Sequence, residues 1–304
     1  MGGIDSRGKR LNSVEVIGDS KCSLPHLPYG IFFQPQVILT NDHEILTCGG
    51  NGANSQKCLV LKEREWIDHS TLNQRRFFVA SVTMPNGSYI FGGDSSSTTS
   101  EFLPNGSVEW QEGPRIPGSG FARGCAVMKS ESEIILIGGR GEQNLLFDIE
   151  TNEFTEISEL EEPRFGHACA VIEDQIVISG GFSTGSYMEP AISTEIISLH
   201  NALECMVNCT KSKQGTRRVL HGTAVGNVDG KQRLLAFGGG NLDSIEEWNL
   251  ENESWTTLNN MKLSQRKGEF GYLSVPTNLL QCKPGRAYPR TQSIGPFLQL
   301  HTID

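Results

Sequence analysis

The chain has 304 residues, 34 of them glycine, with 20% charged side chains and a formal net charge of −9. That acidic balance argues against general binding to nucleic acid or an anionic membrane, which needs a basic surface. No run of roughly 18 apolar residues is present to cross a bilayer. The opening Met1-Gly2-Gly3-Ile4-Asp5-Ser6-Arg7 lacks the apolar stretch of a signal peptide. The default expectation is therefore a cytoplasmic protein, with an extracellular one as the alternative if residues precede Met1.

In chain order, Gly2-Gly3 comes first, followed by Ser13-Val14-Glu15-Val16 and by Cys22-Ser23-Leu24-Pro25-His26-Leu27-Pro28. An apolar run ending in a glycine pair then recurs. It appears as Ile45-Leu46-Thr47-Cys48-Gly49-Gly50 and as Tyr89-Ile90-Phe91-Gly92-Gly93. It returns as Ile135-Leu136-Ile137-Gly138-Gly139, as Ile176-Val177-Ile178-Ser179-Gly180-Gly181 and as Leu235-Ala236-Phe237-Gly238-Gly239. The intervals are 43, 46, 42 and 58 residues. Before the run stands a segment of small and apolar residues, often after an arginine, as in Arg76-Phe77-Phe78-Val79-Ala80-Ser81-Val82 and Arg164-Phe165-Gly166-His167-Ala168-Cys169-Ala170-Val171. Tight turns such as Pro85-Asn86-Gly87 join the two, Asn-Gly being a strong hairpin signal.

After each glycine pair a third strand often carries glutamate: Glu15, Glu101, Glu195 and Glu246. Blades one and three depart from this with Lys57-Cys58-Leu59-Val60 and Asn144-Leu145-Leu146-Phe147. A fourth strand opens on Trp66, Trp110, Phe154 or Trp255, whereas Leu203-Glu204-Cys205-Met206-Val207 in the fourth unit has no aromatic. Insertions there account for the longest interval. Arg266-Lys267-Gly268-Glu269-Phe270-Gly271-Tyr272-Leu273-Ser274-Val275 reads as one more first strand without a glycine pair after it. Residues 283–304, with Pro284, Pro289 and Pro296, read as an irregular tail.

Four short antiparallel strands per unit, repeated at this period, make blades whose faces bury one another in a ring. Over about 275 residues the pattern resembles the kelch-repeat family. The resemblance implies an all-β, six-bladed kelch-type β-propeller over 1–282, a single monomeric domain. Its sixth blade would be shared by residues 1–28 and 265–282, which would close the ring. The missing second strand of that blade would come from Leu279-Leu280-Gln281-Cys282 or from residues preceding Met1.

The glycine pairs end strands and no Lys-Ser or Lys-Thr helix start follows, so they read as turn glycines and not as a phosphate cradle. The recurring glutamates read as buried scaffold carboxylates, because an active site needs one constellation and not four copies. The tryptophans read as inter-blade packing. Arg75, Arg76, Arg123, Arg164, Arg217, Arg218 and Arg266 lie at or just before first strands, Arg115 precedes another, and Arg140 follows a glycine pair. The loop after a second strand and the loop into the next blade emerge on the same face, which gathers these arginines. Some are expected to pair with the scaffold glutamates. Arg75, Arg140, Arg164, Arg218 and Arg266 are the candidate anchors for a partner protein or acidic peptide, since guanidinium grips carboxylate in a bidentate fork. The resemblance to BTB-kelch adaptors implies acidic-peptide binding on this face, although this chain carries no BTB or BACK segment.

A non-catalytic interaction scaffold with no cofactor, no metal site and no nucleic-acid partner is the leading expectation. The alternatives are a sugar-binding or sugar-isomerising protein at the channel mouth and an actin-associated kelch protein. No Gly-x-Ser-x-Gly or His-Glu-x-x-His motif is present. The copper site of galactose oxidase and the Glu-x3-Asp-x3-His motif of the iron-dependent specifier proteins are not found either. His167 and His221 occupy equivalent first-strand positions and read as core histidines.

The eight cysteines contain no CxxC pair, which argues against zinc. Buried free thiols are favoured over disulfides, with Cys48–Cys58 and Cys205–Cys209 as the pairs close enough to cross-link. Of four glycosylation sequons, at Asn86, Asn105, Asn208 and Asn252, three fall in loops opposite the arginine face. They read as turn asparagines.

Overall fold

A computed structural model describes residues 1–17, 23–28, 34–52, 54–94, 98–184, 189–199, 210–213, 215–228, 231–240, 242–275 and 277–280. Five four-stranded antiparallel sheets follow one another along the chain, each with its strands in sequence order. Blade one comprises Gln36–Leu39, Ile45–Cys48, Lys57–Lys62 and Glu65–Thr71, and blade two Ala80–Met84, Gly87–Phe91, Ser100–Pro104 and Gln111–Glu112. Blade three comprises Cys125–Met128, Glu133–Ile137, Asn144–Asp148 and Glu153–Ile157. Blade four comprises Ala168–Ile172, Gln175–Ser179, Ser193–Ser198 and Thr210–Lys213, and blade five Gly222–Val228, Lys231–Phe237, Ser244–Asn249 and Ser254–Lys262.

The second strands are near-continuous apolar runs because both of their faces are covered by neighbouring blades. Ile134, Ile135, Leu136 and Ile137 are fully buried, and Ile176, Val177 and Ile178 nearly so. Outer fourth strands carry exposed polar residues instead, as Glu153 and Glu156 do. The core is accordingly divided into slabs between sheets. Val127, Ile135 and Ile137 of blade three meet Val171, Ile176 and Ile178 of blade four. Ile38, Leu46 and Val60 of blade one meet Ile90, Leu103 and Trp110 of blade two. Each outer tryptophan also donates its indole N–H backward, Trp110 to Ser70 Oγ at 3.1 Å and Trp255 to Thr194 Oγ1 at 2.9 Å. The packing role expected of them is what they perform.

The protein is thus an all-β propeller, but the described residues form five four-stranded blades and not six. In place of a sixth sheet the chain ends meet in a two-residue ladder, Ile4 opposite Gly268 and Asp5 opposite Lys267. Among the described residues no ladder joins this pair to blade five or blade one. The described end segments contribute one two-residue strand each, Ile4–Asp5 and Lys267–Gly268, and so make a ladder and not a blade. Leu280 falls in a 3-10 turn, Thr277–Leu280, while Cys282 and the tail at 283–304 lie outside the described residues. The ends nonetheless fill the space. Phe270 and Ile17 pack on Phe237 and Ile245 of blade five. Val14, Leu24 and Leu27 pack on Val37, Ile45 and Trp66 of blade one.

Two further differences are local. The expected fourth strand at 203–207 lies outside the described residues, and Thr210–Lys213 pairs with Ser193–Ser198 in that role. The Pro85-Asn86 turn puts its positive φ on Gly87 (147°), with Asn86 outside the left-handed region.

Candidate interaction face and central channel

The segment entering each blade and the glycine pair of the blade before it are stitched together by backbone hydrogen bonds. Gly50 N–H donates to Arg76 O, Gly139 to Arg164 O, Gly181 to Arg218 O and Gly239 to Lys267 O, at 2.8–3.0 Å. These bonds place the loops after the second strands and the loops into the next blade on one face, as strand order requires.

Beneath that face lies a repeated polar joint. Arg76 pairs with Glu101 at 2.7 Å, Arg164 with Glu195 at 2.5 Å and Arg218 with Glu246 at 2.8 Å, every partner being at most 1% exposed. Each arginine also reaches the carbonyl of its own blade's first paired glycine: Gly92, Gly180 and Gly238. Glu101 accepts the N–H groups of Asn73 and Gln74, and Glu195 those of Glu161 and Glu162. At the chain ends Lys267 and Glu15 repeat the joint at 2.7 Å. Blade three lacks the glutamate and buries Phe121 where the arginine would stand. Arg164 and Arg218, expected as partner anchors, are therefore not on the surface. Both are fully buried in the scaffold, because an arginine facing a buried carboxylate is held there by it. Arg75, Arg140 and Arg266 are exposed on this face. Arg115 and Arg217 are exposed beside them, and the Arg140 guanidinium stands over the Phe165 ring at 5.6 Å.

At the centre the first strands of the five blades and residues 269–274 surround a channel of about 450 Å³. Its mouth has a feature that periodicity in the sequence did not reveal. Gln34, Phe78, Arg123, Gly166, Leu220 and Glu269, each just ahead of a channel-lining segment, all adopt φ between 53° and 65°. They pass backbone hydrogen bonds around the mouth: Arg123 N–H to Phe78 O, Gly166 to Arg123, Leu220 to Gly166, Glu269 to Leu220 and Gln34 to Glu269, at 2.6–3.1 Å. Their residue types differ at every position, so only the spacing of two from a buried cation could have marked Phe78, Gly166, Leu220 and Glu269, and no cation precedes Arg123 at that spacing. Arg123 is committed to Asp94 at 2.8 Å and lies 3.4 Å over the Phe78 ring. Gln34 donates to Glu269 at 2.6 Å. Desolvation raises the Glu269 pKa, against the opposing pull of Arg123.

His167 and His221 line the channel wall but are buried and neutral. Burial, with Arg164 adding to it, lowers the His167 pKa to about 3; burial and Arg218 push His221 well below its usual value. His221 Nε2 meets Ser179 Oγ at 3.0 Å and His167 Nε2 meets Cys125 Sγ at 3.3 Å, each reaching into the preceding blade. Among the described residues no three His, Cys, Asp or Glu side chains converge as a metal would require.

All four cysteines among the described residues are cross-linked, contrary to the free-thiol expectation. Cys48–Cys58 joins directly opposed residues of blade one, a pair that the sequence marked as close enough. Cys125–Cys169 links the first strands of blades three and four, an inter-blade contact that sequence separation hides. Cys22, Cys205, Cys209 and Cys282, and the sequon at Asn208, lie outside the described residues. Asn86, Asn105 and Asn252 are exposed; Asn86 donates within its own turn to Tyr89 OH at 2.9 Å, Asn252 accepts from Ser254 Oγ at 2.5 Å, and Asn105 donates across to Pro85 O of the neighbouring turn at 2.7 Å.

No protein-family model matches the chain, and no curated protein sequence matches it. No helix among the described residues is long and apolar enough to cross a membrane.

Proposed function

We propose that this propeller is a kelch-type, non-catalytic and monomeric interaction scaffold. Its partner presents an acidic segment to the glycine-pair face, with Arg75, Arg140 and Arg266 as the polar anchors. One observation supports this reading above the rest: an acidic molecule exposes these three guanidiniums on a single face, over a backbone that buried ion pairs and the mouth belt hold rigid. The planar guanidinium fork matches a carboxylate in two parallel hydrogen bonds. The channel offers less to catalysis, because its two histidines are neutral and engaged with neighbouring side chains and Arg123 is paired. The two cross-links suit an oxidising compartment better than the cytoplasm.

The test is fluorescence anisotropy with a labelled Glu/Asp-rich peptide, comparing the parent with R75E/R140E/R266E. The expected result is a loss of affinity of at least roughly tenfold, steeper at low salt, with the melting temperature unchanged. Equal affinity for both proteins would remove the anchors from the proposal.

A further inference from the structure

We propose that Cys125 and Cys169 form a thiol–disulfide exchange site that opens onto the central channel and takes small monothiols as its reactants. Both residues are only half-buried, and both line the channel wall. Cys48 and Cys58, at 1% and 0% exposure, lie inside the slab between blades one and two, where no thiol can approach in line. Among the described residues the chain therefore carries one reachable bond and one sealed bond. Exchange proceeds only where the attacking sulfur can reach the bond along its axis.

His167 decides which sulfur leaves. Its Nε2 stands 3.3 Å from Cys125 Sγ. A neutral imidazole at that place can donate a hydrogen bond to a departing thiolate without bringing a second charge into the wall. An external thiolate then attacks Cys169 Sγ. The new bond is the mixed disulfide on Cys169, the Cys125–Cys169 bond breaks, and Cys125 leaves as a thiolate that takes a proton from channel water. A second external thiolate attacks the external sulfur of the mixed disulfide, releasing Cys169 as a thiolate, which is protonated in turn. Two monothiols are oxidised to their disulfide, and two electrons reduce the protein bond. The opened bond frees the first strands of blades three and four from one another at the channel wall, while the inter-blade slab remains.

The probe is glutathione, added to the oxidised full chain at neutral pH, followed by quenching with iodoacetamide and peptide mass mapping. The expected result is alkylation of Cys125 and Cys169 at a rate roughly tenfold or more above that of Cys48 and Cys58, with a transient glutathione adduct on Cys169. Because Cys48–Cys58 stays closed, unfolding is excluded as the route. An H167Q variant should shift the adduct toward an even division between the two sulfurs while keeping Cys48–Cys58 protected. Opening of both bonds at one common rate, opening of neither before denaturant is added, or an adduct confined to Cys125 would each overturn the proposal.

Discussion

A guanidinium sealed from water persists only if its N–H groups find acceptors, and Arg164 finds them in Glu195, Glu162, Ser193 and Gly180. Removing one member of such a pair strands the other charge, at a cost of about 3–5 kcal/mol, whereas removing both need not. Glu195→Gln or Arg164→Met is accordingly expected to lower the melting temperature by roughly 10 °C, and R164M/E195L to recover much of it. Thermal melts of the three variants check this, and additive losses would contradict it. The sequence carried half of this joint. The recurring glutamates were legible as scaffold. Their cations were divided between scaffold and surface, because position before a strand does not reveal which way a side chain points. The informative signal was co-occurrence: blade three, without the glutamate, has no buried arginine. His221 adds a pH dependence. Its pKa is held below the unfolded value of 6.5, so the unfolded chain binds the extra proton and the stabilisation present above pH 6.5 is lost as pH falls. Replacing His221 with Asn should flatten the slope of stability below pH 6.5, by an amount that grows toward about 1.4 kcal/mol per pH unit as the pH falls to ~5. Denaturant melts across that range test it, and an unchanged slope would mean that the ring is already protonated in the fold.

At the scale of the strand, the glycine pair is the joint that sets blade against blade. Gly180 holds φ at +60°, and a Cβ there would stand 2.3 Å from Arg218 O and 3.0 Å from His221 Cε1. Gly106, at φ +68°, faces nothing within 4 Å. Gly180→Ala should therefore cost at least about 2 kcal/mol more than Gly106→Ala, the first adding a backbone clash to the left-handed strain that both share. Paired thermal melts decide, and equal losses would mean that the joint relaxes freely. Four-strand units were readable because strand periodicity, turn residues and the glycine pair coincide in each. The fourth strand of blade four was not, since its outer position needs little apolar patterning, and an edge strand of polar residues such as Thr210–Lys213 leaves no such signal.

Over the whole molecule, six channel-lining segments surround the axis, and among the described residues five four-stranded sheets stand behind them. The sixth blade expected from the repeat count is not formed: the chain ends meet in a two-residue ladder, with Lys267 and Glu15 repeating the buried joint, but a first strand and a glycine pair do not suffice for a sheet. The channel mouth and the Cys125–Cys169 bond were illegible for a related reason. Both are assembled from residues one repeat apart, 44 in the case of the cysteines, and nothing within one repeat shows which side chains face across the gap. The proposed docking of an acidic segment on the arginine face is a claim about position, and position can be read directly. Hydrogen–deuterium exchange with and without a bound Glu/Asp-rich peptide is the decisive measurement. Protection is predicted in the segments 72–79, 139–143 and 264–268, which carry Arg75, Arg140 and Arg266, with none at the opposite turns 85–87 and 105–107. Protection confined to those opposite turns, or spread evenly over both faces, would contradict the docking face.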